Sequence, residues 1–247
     1  MLIVSTALFL LHSSYNNHLR LGENAVTSTT AIYQENARLV MSSVDNLLAS
    51  MVDHLSLTPN ASVEELREYL LEMSAEVPTL RVLLVIGADG IVTMDRWDDQ
   101  AAVGIDVGDR DYFLAHALAS SVDDTIHVGE PVQSRVDGAW SMPFSRGVYD
   151  EQGHLAAVVV ASIEPRYFHD IFTSIQMEAA QRGAMLRDDG VILSVLPYDE
   201  TLISQVEPEF QSLRHSTMDY TVRHGAFLGY DDAIIGLNSV AGWPLTL

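Results

Sequence analysis

The chain contains no cysteine and no lysine, and both absences narrow what it can do. Without cysteine it has no disulfides, no thiolate nucleophile and no cysteine-ligated metal. All 13 basic residues are arginine, and they stand against 34 acidic residues, which gives a net charge of −21. So acidic a surface repels the phosphates of nucleic acid and the headgroups of anionic lipids. We therefore expect no nucleic-acid partner.

Long apolar runs are also scarce. Residues 1–11 are uncharged and mostly apolar, but a bilayer-spanning helix needs roughly 20 such residues. This segment also lacks the basic start and the small-residue cleavage site of a signal peptide. We interpret residues 1–18 as the end of a transmembrane helix that anchors the chain to a membrane. The alternative is a buried N-terminal helical turn. Because neither a second span nor a catalytic module follows, we expect the chain to be truncated at its C-terminus as well.

What the chain does contain is a long helical pattern. Apolar residues recur at i, i+3, i+4 and i+7 over residues 37–55, and no glycine or proline lies between Gly22 and Pro59. This spacing predicts a stalk helix over residues 19–57, with one apolar face packed on a folded body. A second helix is expected just after the proline, because Ser62 and Glu65 have the spacing of a capping box.

Strand patterns dominate the rest of the sequence. Apolar β-type runs flank the turn Asp89-Gly90 and, 100 residues later, the turn Asp189-Gly190. Each arrangement predicts a β-hairpin, and a third hairpin is expected over residues 140–163. Recurrence at this distance favours two related α/β modules in tandem over a solenoid. A connecting helix over residues 165–182 and closing strands near the C-terminus complete the expected layout.

Several motifs follow one another in the order and spacing of a known sensor family. They lie at Val103–Phe113, with Arg-x-Tyr-Phe at its end, at Val128–Val132, at Trp140–Arg146 (Trp-x-x-Pro-x-Ser-Arg) and at Gly153–Phe168. With them, the chain resembles the double Cache, or tandem PAS-like, domains. These domains lie outside the membrane in histidine kinases, diguanylate cyclases and chemoreceptors.

The resemblance implies an α+β fold with a stalk helix and two PAS-like modules, each an antiparallel sheet of about five strands flanked by helices. On this basis the expected units are the transmembrane end at 1–18, the stalk at 19–57, a membrane-distal module at 58–164, a linking helix at 165–182 and a membrane-proximal module at 183–247.

The family also implies a small-molecule pocket in the distal module. Arg110 and Tyr112 match family positions that hold a ligand carboxylate, which a guanidinium fork can bind through two hydrogen bonds. Asp109 is the expected N-cap of the helix that carries them. His116, one turn further on, is a candidate third donor. The facing strand adds Trp140, Ser145 and Arg146, of which Trp140 and Arg146 share a face.

Each of these residues also has a structural alternative. Arg110 and Arg146 could form ion pairs with nearby acids, and Tyr112, His116 and Trp140 could be core residues. Amino-acid-binding members of the family place an aspartate, which pairs with the ligand's ammonium group, where this chain has Ser162. We therefore expect a simple carboxylate or another anion as the ligand, and we include Ser162 in the site.

Other functions receive little support from the sequence. No histidine spacing typical of a zinc site occurs, residues 95–99 lack the register of a Ca²⁺ loop, and no Gly-x-Ser-x-Gly element is present. We expect no metal, no cofactor and no catalytic activity in this region. The leading hypothesis is a ligand-sensing domain of a membrane receptor that dimerises through the stalk helix and controls a cytoplasmic output. The alternative is a structural or dimerisation module with a degenerate pocket that responds to a protein partner.

Overall fold

The computed structural model describes residues 2–58, 61–97, 100–122, 124–173, 181–213 and 220–247. Its first element, α1 (Leu2–Leu57), is one uninterrupted helix, so the predicted segments 1–18 and 19–57 are continuous. The side chains of residues 2–11 lie outside the described part, and their membrane insertion stays a prediction. Within the described part, no helix combines the length and the apolarity needed to cross a bilayer.

The predicted apolar face of α1 is buried. Ala37, Met41, Val44, Leu48 and Met51 are almost fully inaccessible to solvent and belong to the largest hydrophobic cluster. Since these residues recur every three or four positions, they form one stripe along the helix, and this stripe packs on the sheet beneath.

A second helix, α2 (Val63–Ala75), begins at the predicted capping box. The Ser62 hydroxyl accepts a hydrogen bond from the backbone N–H of Glu65 at 3.2 Å, and the Glu65 carboxylate accepts one from the backbone N–H of Ser62 at 2.8 Å. The two bonds satisfy amides that would otherwise lack partners at the start of the helix.

The distal module is an antiparallel sheet of six strands with the order β2-β1-β6-β5-β3, and β4 also pairs with β5. One helix, α3, precedes β3. Its elements are β1 (Leu80–Gly87), β2 (Val92–Asp95), α3 (Asp111–Ala117), β3 (His127–Val128), β4 (Val132–Gln133), β5 (Trp140–Tyr149) and β6 (Leu155–Ile163).

Alternation along the strands divides this sheet into two faces. Leu83 and Val85 on β1 belong to the cluster that packs against α1, whereas Val82 and Leu84 belong to a second cluster beneath α3. The alternation arises because successive side chains of a strand point to opposite faces. The sheet thus separates a stalk side from a side covered by α3 and the loops around it.

The proximal module follows α4 (Arg166–Thr173), which forms the first part of the predicted linking helix; residues 174–180 lie outside the described part. Its strands form a sheet with the order β11-β7-β8 and a hairpin of β9 and β10. Backbone hydrogen bonds of 2.9 Å between Asn238 and Leu247 join the two parts. The elements are β7 (Gly183–Arg187), β8 (Ile192–Leu196), α5 (Phe210–Leu213), β9 (Tyr220–Phe227), β10 (Tyr230–Asn238) and β11 (Leu245–Thr246).

The predicted repeat is visible in the backbone. In both modules the first hairpin is followed by a segment that returns to it, and equivalent hydrogen bonds occur 100 positions apart. In the distal module the bonds run from Val107 N–H to Gly90 O, from Gly104 N–H to Val92 O and from Arg110 N–H to Val107 O. Their counterparts in the proximal module run from Glu207 N–H to Gly190 O, from Ser204 N–H to Ile192 O and from Phe210 N–H to Glu207 O. Position 110 of the distal module therefore corresponds to position 210 of the proximal one.

Candidate functional site

A cavity of about 60 Å³ lies on the side of the distal sheet opposite α1. Its floor is formed by β1, β5 and β6, and its walls come from the start of α3 and from the segment that follows β4. Most of the lining is apolar. The polar or aromatic side chains among the lining residues are Trp97, Arg110, Tyr112, Gln133, Ser134, Arg135, Ser141 and Ser162.

Arg110 lies at the N-terminus of α3, and here the structure corrects one expectation. The N-cap is Arg110 itself, with extended backbone angles (φ −81°, ψ 142°), and its side chain makes no capping bond. Asp109 is not the cap, because its carboxylate is turned toward Arg135. The Arg110 guanidinium donates to the backbone carbonyl of Gln133 at 3.1 Å. Among the residues that the structure describes, no carboxylate forms an ion pair with Arg110.

Arg135 is the functional candidate that sequence reasoning missed. It lines the cavity, and its Nη2 donates to both carboxylate oxygens of Asp109, at 2.8 and 2.6 Å. The hydrogen bond from Arg135 lowers the pKa of Asp109 below its usual value, so the pair carries no net charge at neutral pH. Two guanidinium groups therefore border the cavity, and of these only that of Arg110 has no carboxylate partner among the described residues.

Tyr112 and Ser162 both line the cavity and both are buried. Burial raises the pKa of the Tyr112 phenol to about 12, so the phenol stays neutral and can donate a hydrogen bond. Ser162 is only 2% exposed, and its Oγ has no hydrogen-bond partner in the described part of the chain. An unpaired buried hydroxyl costs about 1–3 kcal/mol. Such an atom facing a cavity is a group that a ligand can satisfy.

The charge of the described lining residues also bears on the ligand. No aspartate or glutamate occurs among its lining residues within the described ranges. A cationic group placed there would lose its water without gaining an ion pair, which is strongly unfavourable. The electrostatics therefore suit an anion held by Arg110 and disfavour an ammonium group.

Two further predicted residues, His116 on α3 and Ser145 on β5, lie outside the cavity, where α3 packs on the sheet. His116 Nε2 is 2.9 Å from Ser145 Oγ, and this hydroxyl donates to the backbone carbonyl of Tyr112, also at 2.9 Å. Both side chains are buried. Their contacts hold α3 on the sheet, so they position Tyr112 without facing the cavity.

Arg146 and Trp140 share a face of β5, as predicted, but this face is turned away from the cavity. The Arg146 guanidinium donates to Asp45 of α1 at 2.6 and 3.0 Å and to Asp124 at 3.1 Å. Trp140 packs against a cluster of the proximal module that contains Leu186 and Phe210. The physical reason is strand alternation: Ser141 and Pro143 line the cavity, so the even-numbered residues of β5 face the other way.

The start of α3 is tied to the proximal module by Arg187 at the end of β7. The Arg187 guanidinium lies 3.4 Å from Asp111 and 3.1 Å from Glu130, and it donates to the carbonyl of Val128 at 3.1 Å and to Asp189 at 2.6 Å. Only 15% of its side chain is exposed. Asp111, which is adjacent to Arg110 in the sequence, therefore belongs to an ion-pair network that joins the distal module to the proximal one.

Burial alone would raise the pKa of Asp111. The hydrogen bonds from His127 and from the N–H of Glu130, together with the charge of Arg187, outweigh burial and lower it. Asp111 is thus ionised at neutral pH, as the network requires.

The proximal module has a cavity of its own, of about 370 Å³, between α1 and β10, and its lining is mainly apolar. Position 210, equivalent to position 110 of the distal module, holds Phe210, which is fully buried in the proximal core. The proximal module therefore has no guanidinium at the position equivalent to Arg110, and Arg182 lines its cavity from a different position.

Comparisons with known proteins place this geometry in context. No protein-family model and no curated protein matches the chain. Solved structures do. The extracellular domain of a proposed histidine kinase, rpHK1S-Z16, has a TM-score of 0.78 at 25% identity, with 92% of this chain and 93% of the other covered. The periplasmic sensory domain of the Campylobacter jejuni chemoreceptor Tlp1 has a TM-score of 0.73 at 10% identity, with 92% and 93% covered. The ligand-binding domain of the Pseudomonas aeruginosa amino-acid chemoreceptor PctC, solved with GABA, has a TM-score of 0.67 at 17% identity, with 91% and 98% covered.

These similarities and the geometry define a class. The chain has the α+β fold of the ligand-binding domains that receptors expose outside the cytoplasm, and the three structures compared are sensory and not catalytic domains. Its arrangement, one long helix beside two modules with antiparallel sheets, matches the Cache-type, PAS-like fold of these sensor domains.

Proposed function

We propose that this chain is the extracytoplasmic sensor of a membrane receptor and binds a small carboxylate in its distal module. One observation carries the proposal. Arg110 borders a mainly apolar cavity and has no carboxylate partner among the described residues. In a protein of net charge −21, an unpaired guanidinium at a cavity free of described acids is the place where an anion gains most.

In this proposal the ligand carboxylate accepts hydrogen bonds from the Arg110 fork and from the Tyr112 phenol. The fork can form two parallel bonds with a carboxylate. The apolar walls exclude water, which strengthens the ion pair. The helical N–H groups at the start of α3 add a favourable dipole as a secondary contribution.

The ligands of two similar solved structures support a carboxylate, but their ammonium groups have no counterpart in the described lining of this cavity. PctC was solved with GABA, and the Pseudomonas fluorescens receptor CtaA with L-isoleucine; both ligands carry a carboxylate and an ammonium group. Here Ser162, and no described acid, faces the cavity. A carboxylate without an ammonium group fits these residues better.

We further propose that binding reaches the proximal module through Asp111 and Arg187. A ligand that draws Arg110 inward moves the first turn of α3, and Asp111 in that turn contacts Arg187 on β7. For this to signal, the ligand must bind one arrangement of the two modules more tightly than the other. The N-terminal helix would then carry the change across the membrane to a cytoplasmic output, such as a kinase or a cyclase.

Calorimetry tests the binding step directly. Wild-type protein is titrated with acetate, propionate, lactate, succinate and L-alanine, and Arg110→Ala is titrated with the best ligand. Loss of a buried charge pair costs about 2–5 kcal/mol, so Kd should rise more than tenfold. Arg38→Ala is the control, because Arg38 forms only an exposed pair with Glu35 on α1.

The proposal is wrong if Arg110→Ala leaves Kd unchanged while remaining folded by circular dichroism. It is also wrong if none of the acids binds or stabilises the wild type against heat. The latter result would favour the alternative, a module that responds to a protein partner.

A further inference from the structure

The unpartnered hydroxyl of Ser162 narrows the ligand class. Ser162 is 2% exposed, lines the distal cavity and has no hydrogen-bond partner within the described residues. We propose that the ligand is a short-chain monocarboxylate with an uncharged oxygen substituent, a hydroxy or oxo acid, and that this oxygen hydrogen-bonds to Ser162. The proposal rests on the carboxylate-binding function and specifies its ligand.

Size is the first supporting argument. The cavity of about 60 Å³ has room for roughly four to six water molecules, since one water occupies about 10–15 Å³ on this measure. This is comparable to the heavy atoms of a three- or four-carbon acid. Longer acids would extend beyond this volume.

Charge is the second argument. Arg110 provides the one uncompensated positive charge among the described lining residues, because Arg135 is paired with Asp109 at 2.6 Å. One carboxylate matches one free guanidinium. A dicarboxylate would bring its second charge into a cavity whose remaining surface is mainly apolar, at a large desolvation cost.

The third argument is the chemistry of the cavity floor. Ser162 is paired with Pro143 across the β5–β6 ladder, and proline has no N–H or side-chain polar group that could satisfy the hydroxyl. Ser141, the other floor serine, already lies 3.4 Å from the Arg81 guanidinium. A hydroxyl both donates and accepts, so Ser162 can pair with a ligand hydroxyl or a ligand carbonyl. It cannot neutralise an ammonium group.

Matched ligand pairs test the inference. Propionate is compared with lactate, and butyrate with 3-hydroxybutyrate, so that each pair differs in one hydroxyl, placed beside the carboxylate or one carbon further away. Pyruvate and L-alanine complete the panel. We expect the oxygen-bearing acid of at least one pair to bind about three- to tenfold more tightly than its parent, as one additional hydrogen bond predicts. L-Alanine should bind more weakly than lactate.

Ser162→Ala should abolish the preference for the oxygen-bearing acid over its parent acid and leave the affinity for the parent acid nearly unchanged. Ser141→Ala is the matched control and should preserve the preference. Ser162→Asp should reverse the order of lactate and L-alanine, because a carboxylate would then face the ammonium group.

The outcomes separate the two proposals. If acids bind through Arg110 but neither pair shows a preference, or if Ser162→Ala leaves the preference intact, the inference about Ser162 is overturned and the carboxylate-binding function stands. Tighter binding of L-alanine than of lactate by the wild type would overturn the inference too. If no acid of the panel binds, the proposed function itself fails.

Discussion

The two guanidinium groups that border the distal cavity differ in their partners, and this difference governs the charge that a ligand meets. Arg110 donates to a backbone carbonyl, whereas Arg135 is held by Asp109. Asp109 therefore sets the net charge of the cavity without facing it. Removing the Asp109 carboxylate would leave the guanidinium groups of both Arg110 and Arg135 at the rim without a described carboxylate partner.

We accordingly expect Asp109→Asn to raise the affinity for anions about two- to fivefold, the range of a partly exposed ion pair. The gain should be larger for succinate than for lactate, because the second carboxylate acquires a partner. Calorimetry with both acids measures the ratio of the succinate affinity to the lactate affinity. Glu35→Gln is the control: it breaks the exposed pair with Arg38 on α1 and should leave this ratio unchanged. Equal gains for the two acids would contradict this account.

The sequence predicted part of this site and missed another part for identifiable reasons. Arg110, Tyr112 and Ser162 lie at motif positions and do line the cavity. Arg146 does not, because alternation predicts which residues share a face but not which face is covered by α1. Arg135 lies in a loop next to a two-residue strand, where no periodicity is available to place a side chain. Only the fold brings it opposite Asp109.

At the level of elements, α3 is held from both ends. His116 and Ser145 fasten its last turn to β5, and Asp111 in its first turn contacts Arg187 of the proximal module. The helix that carries the ligand candidates is thus also the element that touches the other module. A change in the position of α3 on ligand binding would therefore reach the proximal module directly.

The pH dependence of this contact has a definite sign. The pKa of Asp111 is lowered in the folded chain, so its contribution to stability is complete above the unfolded value of about 3.9 and is lost as the pH falls through the lower folded value. Asp111→Asn should lower the free energy of unfolding by about 1–2 kcal/mol at pH 7, the scale of a charge-assisted hydrogen bond. The difference from the wild type should shrink as the pH falls below about 3.9 and vanish once Asp111 is protonated in the folded chain as well.

Urea denaturation at several pH values measures this difference. Glu200→Gln, at an exposed position of the proximal module, serves as the control and should not change the free energy of unfolding at either end of the range. A difference for Asp111→Asn that persists unchanged at low pH would show that the ion pair with Arg187 does not contribute.

Element boundaries were the more predictable part of the structure. The third hairpin has the expected strands, Trp140–Tyr149 and Leu155–Ile163, because apolar runs and a glycine turn mark them in the sequence. The very short strands β3 and β4 escaped prediction, since two residues carry no pattern. The expected N-cap was wrong because Asp109 has a stronger partner in Arg135. The boundaries of the two modules stay predictions.

For the whole molecule, the exposed side of α1 bears on assembly. Leu21, Ile32 and Leu39 are exposed, and their spacings of eleven and seven residues are close to whole numbers of helical turns. They therefore lie on one side of α1, opposite the stripe that packs on the sheet, with Ser28 and Glu35 between them. We retain the proposal that two chains pair through this side of the helix.

Leu39→Glu should weaken self-association at least tenfold, because it places a charge in the apolar contact. Sedimentation equilibrium measures the effect. Leu118→Glu is the control, since Leu118 is equally apolar and more exposed than Leu39 but lies at the end of α3, on the other side of the distal sheet. A wild-type chain that stays monomeric at high concentration, or equal effects of both changes, would argue against pairing through α1.

Contacts with both modules hold α1 at several points along its length. The helix has 56 residues, which corresponds to a length of about 84 Å at 1.5 Å per residue. Arg146 of the distal sheet pairs with Asp45, and the proximal module contacts the helix closer to its start, at Gln34 and Glu23. About 30 Å of helix extends from Glu23 to Leu2, so a tilt of about two degrees at Glu23 displaces the N-terminal end by about 1 Å. A small change in how the two modules hold α1 would thus reach its N-terminal end as a movement of atomic size.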